Sequence, residues 1–158
     1  MGIFHPSQAP THEVLSQSQW VCDPEHQVPR LDFELTSACD HKCGHCYNVW
    51  NASDGDPQGG YPKGQLRPAE FMVMMEKIIK QSGADHVTIT GGEPLLRKDA
   101  LDIIKRATEL VSSVQLITNG SHISSEVASA FKRFGVRSVQ LTLLSGDREE
   151  HDRLIEIG

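Results

Sequence analysis

Between residues 30 and 36 the chain reads RLDFELT, with Leu31, Phe33 and Leu35 alternating against polar neighbours. A period of two predicts a half-buried strand. From Pro68 the period lengthens: Phe71, Met74, Met75, Ile78 and Ile79 recur at three-to-four spacing, the core-facing stripe of a helix that Pro68 opens and Gly83 ends. The same rhythm then repeats, with strands expected over 86–90, 114–118 and 138–143 and helices near 98–111 and 124–134. A further helix is expected at the C-terminal end. Strands alternating with helices of about ten or more residues imply right-handed crossovers and a parallel sheet. With the strand before the cysteines, four βα units result, too few to close an eight-stranded barrel, so the expected fold is α/β, a curved, partial parallel (β/α) barrel.

Two stretches fall outside this rhythm. Residues 1–30, rich in Pro, Gln, Ser and His, show neither period and are expected to form an extended lead-in to a domain over 31–158. Residues 51–64 are dense in Gly, Pro and Asn, and predict a long loop of the kind that often carries function. The 158 residues, 38% apolar and 23% charged, suit one globular domain. A net charge of -6 without a Lys or Arg run argues against a nucleic-acid partner. No stretch approaches the roughly 18 apolar residues that cross a bilayer, and the N-terminus lacks the order of a signal peptide, so no membrane association and a cytoplasmic location are expected.

The four cysteines change the picture most. Three fall within eight residues, Cys39-Asp40-His41-Lys42-Cys43-Gly44-His45-Cys46, and such close thiols could pair only with strain and would leave one over. Metal binding fits better. Three thiolates on one tight loop suit three irons of a cuboidal cluster and leave a fourth iron open for an exogenous ligand. A Cys3His zinc site using His41 or His45 is the alternative on spacing alone. Cys22, seventeen residues before Cys39, reads as a buried or free thiol rather than a ligand.

CxxxCxxC after a strand, an aromatic ring before the last cysteine, Thr90-Gly91-Gly92-Glu93-Pro94 after the next strand and Thr118-Asn119-Gly120 after the third together resemble the radical S-adenosylmethionine superfamily, over residues 31–158. More narrowly, LDFELTSACDHKCGHCY with TITGGEPLL, LITNG and HDRL is similar to the branch that often carries a C-terminal SPASM region. The resemblance implies a [4Fe–4S] cluster on Cys39, Cys43 and Cys46, with S-adenosylmethionine chelating its open iron. It also implies reductive cleavage to a 5′-deoxyadenosyl radical and hydrogen abstraction from a substrate. It further implies a reductant such as a flavodoxin or ferredoxin, and a peptide or small-molecule substrate.

Carried onto positions, His45 and Tyr47 are candidates near adenine. Thr90, Gly91, Gly92 and Glu93 are candidates at the cofactor's methionine end, the glycines for close backbone approach and Glu93 as a carboxylate for its ammonium or for a neighbouring group. Ligands gather at the carboxyl ends of parallel strands, where these residues fall. Thr118 and Asn119 are further candidates, with an ordinary strand-ending turn as the other reading. The fourth strand departs from the family's Ser-Leu-Asp-Gly run, reading Thr142-Leu143-Leu144-Ser145-Gly146, so the ribose hydroxyl contact falls to Thr142 or, with a shifted register, to Ser145. His151-Asp152 resembles the family's His-Asp pair at a helix start and is assigned no catalysis. Two rivals to the enzyme are an iron–sulfur electron carrier, which normally needs four cysteines and no GGEP, and a zinc module. Half a barrel would leave the cavity open on one side, so the chain alone is expected to turn over poorly.

Overall fold

The computed structural model describes residues 30–43, 46 and 65–155. His45, Tyr47, Cys22, the 51–64 stretch and nearly all of the 1–30 lead-in lie outside the described residues. In chain order the elements are β1 (Leu31–Glu34), α1 (Pro68–Ser82), β2 (His86–Thr90), a 3-10 turn (Pro94–Leu96), α2 (Ala100–Leu110), β3 (Ser113–Thr118), α3 (Ser125–Phe134), β4 (Ser138–Leu141) and α4 (Arg148–Ile155). The four strands form one sheet in the order β1-β2-β3-β4, and every pairing is parallel. The α/β alternation expected from the hydrophobic periods is therefore the architecture observed.

The register explains the core. Phe33 pairs with Ile89, Ile89 with Leu116 and Leu116 with Val139, so one apolar row runs across a single face of the sheet. Phe71, Met75 and Ile79 of α1 and Ile103, Ile104 and Ala107 of α2 are buried in the same core, and Phe71 meets Phe33 edge-on at 6.2 Å. Each of the Phe, Met and Ile side chains among them contributes about 1.5–3 kcal/mol on burial. Cover thins toward β4, whose four residues are all exposed, with Leu141 at 56%.

The boundaries differ from the sequence expectations where polar contacts intervene. β1 leaves the regular ladder at Glu34, yet Leu35 N–H still donates to Thr90 O (2.9 Å) and Gly92 N–H to Thr36 O (2.8 Å). β4 stops at Leu141, before the expected 143, and Thr142 turns into a cavity. α4 begins at Arg148 behind Asp147, whose Oδ1 accepts from Glu150 N–H (2.9 Å). His151-Asp152 thus sits within the helix, a turn from its start.

Candidate active site

The loop carrying the cysteines leaves the carboxyl end of β1 and is fastened at three places. The first is the end of β2. Gly92 N–H donates to Thr36 O, and Glu93 N–H to Ala38 O (2.8 Å). A Cβ on Gly91 would stand 2.5 Å from Thr36 O and one on Gly92 2.2 Å from Ala38 O, so both glycines are demanded by the approach of the chain's own backbone. That contact, rather than an approaching ligand alone, accounts for the glycine pair. The second fastening is α4: Lys42 N–H donates to the carbonyl of Ile155 (3.0 Å).

The third is the turn after β3. Asn119 Nδ2 donates to Asp40 Oδ1 (2.8 Å), His122 Nε2 lies 2.9 Å from Asp40 Oδ2, and His41 Nε2 lies 2.9 Å from Ser121 Oγ. Nδ1 of His41 is buried without a hydrogen-bond partner among the described residues. Burial pushes the Asp40 carboxyl upward, but hydrogen bonds from Asn119, from its own backbone and from His122 more than offset this, leaving it below the usual carboxylate range.

These fastenings enclose a cavity of about 250 Å³ lined by Cys39, His41, Cys43, Cys46, Thr90, Gly91, Gly92, Ile117, Thr118, Asn119, Thr142 and Ile155. All three thiols are free of disulfides. Cys39 is held above the ordinary thiol range chiefly by burial, against which the His41 N–H directed at its Sγ (3.5 Å) works. Cys43 is raised by burial and then by the neighbouring Cys46. Three thiols lining one cavity fit the donor set of a polynuclear cluster.

The Glu93 carboxylate takes neighbouring groups of the chain itself. It is wholly buried and does not line the cavity. Oε1 accepts from Leu95 N–H (2.9 Å) and from Thr118 Oγ1 (2.8 Å), while Oε2 accepts from Asn119 N–H (2.8 Å). Thr118 Oγ1 in turn accepts from Gly120 N–H (3.0 Å). In this structure Glu93 braces the turn after β3 against the end of β2. Thr118 and Asn119 do line the cavity, but their side-chain groups are engaged: the Asn119 carboxamide serves Asp40 and accepts from Ser121 N–H (2.9 Å). Of the two ribose candidates, Thr142 faces the cavity, whereas Ser145 donates to Glu150 Oε2 (2.7 Å) and accepts from Asp147 N–H (3.0 Å).

A brace can be told from a ligand by experiment. Glu93→Gln turns an amide NH2 toward donors, which should cost the cluster-free chain about 1–3 kcal/mol, read from its urea midpoint. An unchanged midpoint would remove the brace.

A model of the radical SAM superfamily matches residues 33–158. The chain belongs to the radical SAM superfamily. Members of this superfamily are enzymes that bind a [4Fe–4S] cluster and S-adenosylmethionine. The chain is 31% identical over 127 residues to a probable GTP 3′,8-cyclase of Thermococcus kodakarensis, covering 80% of this chain and 38% of that protein. It is 32% identical over 121 residues to the sporulation killing factor maturation protein SkfB of Bacillus subtilis, covering 77% of this chain and 27% of that one. Among solved structures, Streptococcus suis SuiB superposes with a TM-score of 0.61 at 20% identity, over 82% of this chain and 27% of its own, a likeness of fold. The chain thus spans well under half the length of these relatives. No helix among the described residues is long and apolar enough to cross a membrane.

Proposed function

We propose that this radical SAM chain is the cluster-bearing part of an enzyme that cleaves S-adenosylmethionine reductively and uses the product to abstract hydrogen from a substrate. One observation carries the reading: three thiols outside any disulfide and the Gly91-Gly92 backbone line a single cavity at the carboxyl ends of parallel strands. Cys39, Cys43 and Cys46 would hold the cluster. Opposite them, the carbonyls of Gly91 and Gly92 accept no hydrogen bond from a described residue, which suits a cofactor ammonium. The Thr142 hydroxyl is the ribose candidate. When bound, the cofactor pair supplies an electron and a cleavable sulfonium bond. The chain's contribution is to seat both groups and, through Ile117 and Ile155, to present them with apolar wall.

A peptide substrate is the reading favoured here, supported by the likeness to SkfB, a maturation protein, and to SuiB, which has also been solved with its precursor peptide SuiA. The likeness to GTP 3′,8-cyclases supports a nucleotide as the second reading. Placement in the SPASM-type branch rests on LDFELTSACDHKCGHCY and the terminal HDRL. The electron would come from a flavodoxin or ferredoxin.

Anaerobic reconstitution with iron and sulfide, reduction and addition of S-adenosylmethionine tests this. Cluster together with 5′-deoxyadenosine, detected by chromatography and formed slowly by this chain alone, is the expected result. Failure to assemble a cluster, with zinc bound instead, would overturn it.

A further inference from the structure

The loop between Cys39 and Cys43 and the turn after β3 are separate in sequence by about 80 positions, yet side chains tie them together. Asp40 stands at the centre, with one carboxylate oxygen taken by Asn119 Nδ2 (2.8 Å) and the other by His122 Nε2 (2.9 Å). His41 adds a parallel tie to Ser121 (2.9 Å). Each partner already has a fixed place. Asn119 is anchored by its backbone N–H on the buried Glu93 carboxylate and by its Oδ1 on Ser121 N–H. Asp40 is bonded directly to Cys39 in the chain, and Asn119 lines the same cavity as the thiols. The Glu93 brace therefore does not end at the turn after β3. It continues through Asn119 and Asp40 into the cluster loop, joining the two walls of the cavity.

We infer that Asp40 is a positioning residue that couples the seating of the cluster to the wall that receives S-adenosylmethionine, by holding Asn119 and His122 against the loop between Cys39 and Cys43. The inference rests on the function proposed above and adds to it a residue between the ligands that binds no metal. The physical reason is one of shared geometry. A ligand that bridges two loops binds best when the gap between them is preset. A carboxylate accepting from both an amide and an imidazole fixes that gap in a way a single contact would not. The pair with His122 is partly exposed, its side chains at 38% and 31%, so solvent screening limits its weight as an ion pair. Its value lies in position more than in stability.

The test uses the reconstituted full chain as wild type, Asp40→Ala, Asp40→Asn, Asn119→Ala and the Asp40→Ala/Asn119→Ala double variant. Iron content, affinity for S-adenosylmethionine by equilibrium dialysis, and the reduced-cluster electron paramagnetic resonance spectrum with and without S-adenosylmethionine are measured. Asp40→Ala should keep its iron but bind S-adenosylmethionine about three- to tenfold more weakly. Its spectrum with subsaturating S-adenosylmethionine should stay close to that of the cofactor-free cluster. Asp40→Asn, which keeps one acceptor, should fall between, and the double variant should lose no more than the worse single one. Affinity within twofold of wild type in Asp40→Ala, or losses that add in full in the double variant, would overturn the inference while leaving the proposed function standing. Should Asp40→Ala fail to load iron, Asn119→Ala and His122→Gln carry the same comparison, and wild-type affinity in both would overturn it. A wild-type chain that takes up a cluster but does not bind S-adenosylmethionine would remove the proposed function, and this inference with it.

Discussion

Arg97→Ala is expected to destabilise the cluster-free chain by about 3–5 kcal/mol, the range for breaking a buried ion pair from one side. The guanidinium side chain has no exposed surface, and its Asp99 partner retains only 10%. Nε and Nη2 reach the two Asp99 oxygens at 2.8 and 3.0 Å, a two-pronged contact that matches the planar fork. Nη1 donates to Leu35 O (3.0 Å) and Nη2 also to Leu66 O (3.1 Å), with the guanidinium carbon 5.0 Å from the centre of the Phe71 ring. One side chain thereby joins the end of β1, the approach to α1 and the start of α2. Alanine would take the two-pronged partner from the buried Asp99 carboxylate and the donors from the Leu35 and Leu66 carbonyls. Against a typical total of about 5–15 kcal/mol, such a loss is large.

Urea unfolding followed by circular dichroism measures it. Arg97→Lys should recover only part of the loss, because a single ammonium cannot fill the fork. An Arg97→Met/Asp99→Leu pair should be milder than Arg97→Ala, since it removes both charges together. If Arg97→Ala shifted the midpoint no more than a surface substitution does, the pairing would carry no weight. The consequence for the site is direct, because Leu35 and Thr36 are the last buried steps before Ser37 and Ala38 lead into Cys39. A loosened β1 end would carry the cysteine loop with it.

Arg97 also shows where the sequence was legible and where it was not. The strands and helices emerged because each is set by a local period, and the apolar row from Phe33 to Val139 is that period seen across the sheet. The cysteine loop and GGEP stood out for a similar reason, since their residues are adjacent in the chain. By contrast, Arg97 reaches Leu35 across 62 positions and Asp40 meets His122 across 82, and neither separation leaves a local pattern. In the sequence Arg97 was simply the residue before the expected start of α2. Glu93 was located correctly at the end of β2, but the direction of its carboxylate depends on Thr118 and Asn119, which no reading of the GGEP segment contains. That Thr142 lines the cavity while Ser145 is drawn off by Glu150 on α4 is visible only in the fold. Ile155, which closes the cavity from that helix, had no signal beyond being apolar.

Cys43→Ala should abolish cluster assembly, with iron reduced to background and the visible charge-transfer absorbance lost. The loop offers three thiolates and no described side chain stands ready to replace one, since His41 is tied through Nε2 to Ser121 and Asp40 is shared between Asn119 and His122. Cys43 is also the middle one of the three proposed ligands in the chain, and its carbonyl accepts from Cys46 N–H (3.0 Å). Assembly should further depend on pH in a defined direction. Cys39 is raised by burial, and Cys43 by burial and by Cys46, so both thiols are protonated at neutrality in the cluster-free chain and must release protons as iron binds. Loading should therefore weaken as pH falls below the ordinary thiol range of about 8.5. It should strengthen as pH rises through that range. Iron per chain after reconstitution across a pH series, for wild type and Cys43→Ala in parallel, reads both effects at once. Retained iron and colour in Cys43→Ala would dismiss the ligand assignment, while a flat pH profile in the wild type would mean that proton release does not govern assembly.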